Sequence, residues 1–141
     1  MKLTIATPER RILSSAAVKT VTVPGGQGEM PILPGHATLV STLGTGVLVF
    51  ELENGKKEVA ALSRGFIRVA NDEVIILADR LELSNEIDVE RAKKAQIKAE
   101  EKLHAKETFD QDMIVWQEKW QEKLQRAYIR QEASQFLLPP H

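Results

Sequence analysis

The feature that most constrains this chain is a change of hydrophobic period across Ser84-Asn85-Glu86-Ile87-Asp88-Val89-Glu90-Arg91-Ala92. Before this junction apolar residues tend to alternate, and after it they recur at every third or fourth position. A period of two belongs to strands and a period of 3.6 to helices, so two units with different packing problems meet here. The chain therefore divides into residues 1–84 and 85–141, and the joint is the place to expect a hinge or a ligand.

In the first unit Lys2–Thr7, Arg11–Ala17, Val18–Val23, Gly46–Glu53, Lys56–Leu62, Gly65–Ala70 and Glu73–Asp79 read as strands. Thr20 and Thr22 alternate with Val21 and Val23, the pattern of a half-buried strand. Pro8-Glu9-Arg10 and Pro24-Gly25-Gly26-Gln27-Gly28 read as turns, and Asn71-Asp72 joins two strands. Asn54-Gly55 is the strongest hairpin signal, because both central residues of a type I′ turn take positive φ. Punctuation at about every 8 to 12 residues favours an antiparallel sandwich or barrel over alternating β-α units.

The second unit has no glycine, and its first proline is Pro139. Ala92, Ala95, Ala99 and Leu103 form a narrow stripe of mostly small residues on a first helix. Phe109, Met113, Trp116, Trp120, Leu124 and Ala127 form a bulky stripe on a second, begun by a capping box at Thr108-x-x-Gln111. Small against large suggests an antiparallel hairpin, with a polar turn at Lys106-Glu107. The same residues also allow one continuous helix of about 50 residues, ~75 Å long.

The chemistry is sparse. A net charge of -1, without a charge block in either half, removes the simple argument for nucleic acid. The absence of cysteine excludes disulfides and thiolate zinc sites and leaves the compartment open. His36, His104 and His141 form no metal-spaced pair, and phosphate loops and nucleophile elbows are missing. Nothing reads as a catalytic site or as a metal site. The start of the chain reads as a strand and a turn rather than a targeting peptide, and no apolar run approaches the ~20 residues of a spanning helix. Membrane association is expected only through a partner.

Two features of the helical part go further. Lys119, Lys123, Arg126 and Arg130 share one face of the second helix, at spacings of four, three and four. Such a stripe is either a solvated polar face or half of a contact with an anionic partner, and Glu122 neutralises only part of it. At the junction, Asp88 can cap the first helix, with Arg91 one turn on.

These residues carry a resemblance. Lys2-Leu3-Thr4-Ile5 with Thr7-Pro8-Glu9-Arg10, Gly28-Glu29-Met30-Pro31-Ile32-Leu33-Pro34-Gly35-His36-Ala37, Gly46-Val47-Leu48, Ser63-Arg64-Gly65-Phe66, Val74-Ile75-Ile76-Leu77-Ala78-Asp79 and Ile87-Asp88-x-x-Arg91-Ala92 stand in order. Together they resemble the epsilon subunit of bacterial F-type ATP synthase, from Lys2 to about Ala99 and more weakly beyond. Arg64 stands where that family usually has a glycine, and Pro31 replaces another.

The resemblance implies an α+β protein, an antiparallel β-sandwich of about ten strands followed by an antiparallel two-helix hairpin. It implies a non-catalytic central-stalk rotor subunit that couples proton-driven rotation to ATP synthesis. The expected partners are the gamma subunit, the c-ring and the beta and alpha subunits, at the cytoplasmic side of the cell's inner (plasma) membrane. Glu29, Met30, Pro31, Ile32, Leu33 and His36 match the region that contacts gamma and the c-ring. The helices are expected to inhibit ATP hydrolysis by extending toward the beta subunit, which Lys119, Lys123, Arg126 and Arg130 would meet. No cofactor is required, but a regulatory ATP is implied at Glu82, Asp88, Arg91, Ala92, Arg126 and Arg130. A stand-alone sandwich adaptor with a coiled-coil arm would explain the change of period but not the ordered motifs.

Overall fold

A computed structural model describes residues 1–105 and 111–135. Seven strands come first: β1 (Lys2–Ala6), β2 (Arg11–Gly25), β3 (Gly28–Ile32), β4 (Leu39–Leu43), β5 (Gly46–Leu52), β6 (Lys57–Ala70) and β7 (Glu73–Leu83). A 3-10 turn (Ser84–Glu86) leads to α1 (Val89–Ala105) and α2 (Gln111–Gln135). The capping box at Thr108, the turn at Lys106-Glu107, Phe109, the tail from Phe136 and the side chain of Met113 lie outside the described residues.

The ladders close a ring, β1–β2–β5–β6–β7–β1, which β3 extends at β2 and β4 at β6. Inside it lie Leu3, Ile5, Val18, Val21, Val23, Ile32, Leu48, Leu62, Ile67, Val69, Val74 and Ile76, each buried. Burying an aliphatic side chain of this kind stabilises by about 1.5 to 3 kcal/mol, so this alternating inward set decides the fold. The pairing is antiparallel apart from β1 and β7, which run parallel with Leu3 beside Val74 and Ile5 beside Ile76.

Two of the sequence segments, Arg11–Ala17 and Val18–Val23, are one strand, β2, which pairs first with β1 and then with β5 and β3. Lys56–Leu62 and Gly65–Ala70 are likewise one strand, β6. Its inward residues are Ala60 and Leu62, then Gly65, Ile67 and Val69, so the inward phase slips by one between them. β7 slips at the same level, from Ala78 to Leu81. Ser63 and Arg64 on one strand, and Asp79 and Arg80 on the other, are therefore consecutive non-core residues. Arg64 carries the slip with φ of 49°, a left-handed conformation that favours glycine. Gly65 permits it, because a Cβ there would stand 2.2 Å from the Leu77 carbonyl oxygen.

The turns correct one expectation. The type I′ turn is at Asn71-Asp72, with φ of 52° and 62°, and not at Asn54-Gly55, where only Gly55 is positive at 88°. In the latter loop the Gly55 N–H donates to the Leu52 carbonyl and the Lys56 N–H to Asn54 Oδ1. The connection is longer than two residues, so Gly55 takes the left-handed position that closes it.

The helices form the hairpin rather than one continuous rod. Gln131 Nε2 donates to Gln96 Oε1 at 2.7 Å and the Tyr128 hydroxyl to Glu100 at 2.8 Å, pairings that advance in opposite directions along the two helices. Ala92, Ala99 and Ala127 are buried where the helices meet, and Trp120 is 8% exposed. The end of α2 docks on the sandwich, where Ile129 and Ala133 cover Val59 and Ala61 of β6 together with Val47, Val49 and Ile87. This is why Val59 to Leu62 are buried on both faces while Gly65 to Val69 alternate. Among the described residues no helix is long and apolar enough to cross a membrane.

Candidate functional site: a cationic cleft between hairpin and sandwich

The hairpin does not lie flush on the sandwich. Beyond the patch around Val59 and Ala61 a cleft of about 360 Å³ opens, floored by Ser63, Arg80 and Glu82 and walled by Arg91 and Lys98 of α1 and Trp120, Lys123, Arg126 and Arg130 of α2. Strand geometry sets the floor, since Arg80 and Glu82 are two apart on β7 and face the same way. Helix geometry sets the walls, because Arg91 and Lys98 are two turns apart and Lys123, Arg126 and Arg130 rise by three and four.

Six cations and one carboxylate line this space. Arg130 Nε stands 2.9 Å from Glu82 Oε1, yet this buried N–H is not aimed for a hydrogen bond among the described residues. Burial, then the neighbouring Lys119, Lys98, Arg126 and Arg80, depress the pKa of Lys123. Burial and then Arg80, Arg64 and Arg130 do the same for Arg126. Both shifts mean that these cations are first of all partly desolvated and then crowded by like charge, and an anion would relieve both. Lys123 Nζ lies 4.8 Å from the centroid of the Trp120 ring, with those of Lys119 and Lys98 at 5.6 and 5.7 Å. Arg64 reaches from β6 to pair with Glu122 on α2 beside the cleft.

Of the residues that the resemblance marks for ATP, Glu82, Arg91, Arg126 and Arg130 are brought together in this cleft. Asp88 and Ala92 stand apart from its lining. Asp88 caps α1, its Oδ1 accepting the Arg91 N–H at 3.1 Å and its carbonyl the Ala92 N–H at 3.0 Å. Ala92 is fully buried within the hairpin. Of the four basic residues on α2, Lys123, Arg126 and Arg130 face the cleft, while Lys119 is exposed beside Trp120. Arg80, Lys98, Ser63 and Trp120 also line the cleft, and no sequence motif marks them for it. The period-two register from Glu82 would have found Arg80, and the seven-residue step from Arg91 would have found Lys98.

The loop expected to meet a partner is split by burial. Glu29, Pro31, Leu33 and His36 are exposed, Met30 is half-buried against the core, and Ile32 is wholly inside it and has no surface to offer. Pro31 is tolerated because β3 lies at the end of the strand order. The His36 N–H donates to the Leu33 carbonyl, and Gly35, at φ of 80°, closes that turn. The outer face of β4, β6 and β7 also exposes Val40, Phe66 and Leu77, an apolar patch that alternation alone does not announce. Among the described residues no group of three or more acidic, histidine or cysteine side chains is placed to hold a metal ion.

Residues 1–84 match the family described as "ATP synthase, Delta/Epsilon chain, beta-sandwich domain". An ATP synthase epsilon chain from Bdellovibrio bacteriovorus is 42% identical over 121 residues, 85% of this chain and 86% of that one. One from Carboxydothermus hydrogenoformans is 45% identical over 103 residues, 73% of this chain and 75% of the relative. Among solved structures, a chain in the OSCP/F1/c-ring part of the Euglena gracilis mitochondrial ATP synthase superposes with a TM-score of 0.81. It is 28% identical, and the match covers 94% of this chain and 80% of that one.

Proposed function

Because the chain belongs to the family of ATP synthase epsilon chains, we propose that it is a non-catalytic rotor subunit, held between gamma and the c-ring and turning with them. The observation that carries this reading is that the likeness runs through both units, sandwich and hairpin, and not through a sandwich alone. The exposed part of the Glu29–His36 loop and the apolar patch around Phe66 and Leu77 are the surfaces that suit such partners. The subunit sits at the membrane through those partners, on the cytoplasmic face.

The hairpin is the regulatory part. Folded, it turns Lys123, Arg126 and Arg130 toward the cleft. Extended, it would present them to an acidic surface of the beta subunit and slow ATP hydrolysis. ATP bound in the cleft would hold the folded form by mass action, so that plentiful ATP keeps the inhibitor retracted.

The test is reconstitution. The native protein should co-purify with gamma and c subunits, and its absence from those preparations would remove the rotor assignment. A chain ending at Asn85 should still join the complex but raise ATP hydrolysis, whereas unchanged hydrolysis would remove the inhibitory role. Calorimetry of the full chain should show heat with ATP that Arg126→Ala abolishes, and millimolar ATP giving no heat would retire the nucleotide reading.

A further inference from the structure

We propose that Arg80 of β7 is a ligand-binding residue of the cleft, which with Lys123 of α2 holds the distal phosphates of a nucleoside polyphosphate and so ties sandwich to hairpin through the ligand. This rests on the nucleotide reading above, and it adds a contact from the sandwich side that the Glu82, Arg91, Arg126 and Arg130 set does not include.

The first support is position. The phase slip of β6 and β7 leaves Arg80 pointing away from the core, opposite Ser63 on the ladder and on the same face as Glu82. It forms the floor of the cleft, with Lys123 and Arg126 on the α2 wall. A ligand touching both sides must bridge the two units.

The second is charge left without an acidic partner. Glu82, the one carboxylate lining the cleft, stands against Arg130, and Glu122 beside it is taken by Arg64. Among the described residues Arg80 and Lys123 pair with no carboxylate. Lys123 instead lies near the Trp120 ring, which Lys98 and Lys119 share. A shared indole face is a weaker counter-charge than a phosphate oxygen. Arg80 is also among the charges that depress the pKa of both Lys123 and Arg126, so these groups feel one another across the cleft.

The third is the match of ligand class. A volume of about 360 Å³ suits a small molecule rather than a protein segment. Six cations against one carboxylate suit several linked anionic groups better than a single phosphate. The guanidinium of Arg80 supplies fork geometry and the ammonium of Lys123 a point charge, a combination that phosphate chains accept.

The experiment is calorimetric titration of the full-length chain with ATP, ADP and inorganic tripolyphosphate, on the wild type, Arg80→Gln and Arg80→Lys. Arg80→Gln should weaken ATP roughly tenfold, the loss of one charge-assisted contact, and remove most of the preference for ATP over ADP. Arg80→Lys should fall between it and the wild type. The urea midpoint of the sandwich should not move in either variant, because Arg80 lies outside the core. ATP binding undiminished in Arg80→Gln, or ATP and ADP weakened equally, would overturn the proposal and leave the nucleotide reading intact. Tripolyphosphate binding as tightly as ATP, and weakened by Arg80→Gln, would support Arg80 while removing recognition of the nucleoside. No binding of any of the three by the wild type would overturn both.

Discussion

Arg10 and Glu86, 76 residues apart, are joined by two parallel hydrogen bonds, Nη1 to Oε1 at 3.2 Å and Nη2 to Oε2 at 2.6 Å. The same Glu86 Oε2 accepts the Leu83 N–H at 3.3 Å. The turn between β1 and β2 thus grips the linker at the point where the sandwich ends.

This grip depends on pH in a defined direction. Arg10 and the Leu83 N–H hold the Glu86 carboxyl below its ordinary value of 4.5, against a smaller opposing effect of burial. A carboxyl with a lowered folded pKa stabilises fully above its unfolded value and loses that stabilisation as pH falls through the folded one. Hydrogen exchange at the Leu83 amide, corrected for intrinsic rate, should therefore quicken as pH falls from the ordinary 4.5 through the lowered folded value. Glu86→Gln should show fast exchange at every pH, and identical profiles for the two proteins would mean that the contact does not hold the linker.

Arg64 should act in opposite directions on the two units. Arg64→Gly relieves a left-handed conformation that costs a non-glycine residue about 1 kcal/mol, so the sandwich should unfold at higher urea. It also removes the ion pair with Glu122, so α2 should be cut faster by protease. Gly65→Ala should instead destabilise the sandwich by about 3 kcal/mol, since the added Cβ meets backbone that cannot yield easily.

Tyr128 is the one tyrosine of the chain, which makes its ionisation directly readable by ultraviolet absorbance. Its hydroxyl donates to Glu100, and this bond, followed by burial and the carboxylate charge, raises its pKa above the usual 10.0. Glu100→Gln should bring the titration back toward that value. A raised folded pKa stabilises below the unfolded value and is lost as pH rises through the folded one, so the hairpin should loosen in strong alkali.

Lys123 carries the reverse sign. Its depressed pKa means that the folded hairpin holds this proton less tightly than the unfolded chain does. Without ligand, the hairpin should gain stability as pH rises between the folded value and the ordinary 10.5, and Lys123→Met should supply that gain at neutral pH. Trp120 fluorescence during urea unfolding measures it, and no gain would mean that the charge is screened at this site.

The two-unit plan was legible because the side-chain period reports local geometry, and the break in it at Ser84 needs no tertiary knowledge. β3 and β4 carry no clear strand signal in the sequence. Pro31 argues against a ladder position unless an edge is available, and Leu39–Leu43 is too short for alternation to stand out. β2 and β6 each read as two strands in the sequence, because a bend or a phase slip resembles a boundary in a linear pattern. The cleft was legible only in part: Arg126 and Arg130 advertised themselves by helical spacing, whereas Arg80 becomes relevant only once β7 lies beside α2. Ile32 shows the converse, since a residue inside a motif expected to meet a partner can belong wholly to the core.

The small apolar contact of Ile129 and Ala133 with Val59 and Ala61 gives the seat of the hairpin a temperature dependence of its own. Burial of this kind weakens on cooling, while the ion pairs beside it do not share that dependence. Swinging the hairpin out uncovers valines that only another protein surface would cover again. Chilling the isolated protein should therefore favour the open arm, and in the assembled rotor release from the sandwich would be an exchange of one apolar seat for another rather than a departure into water.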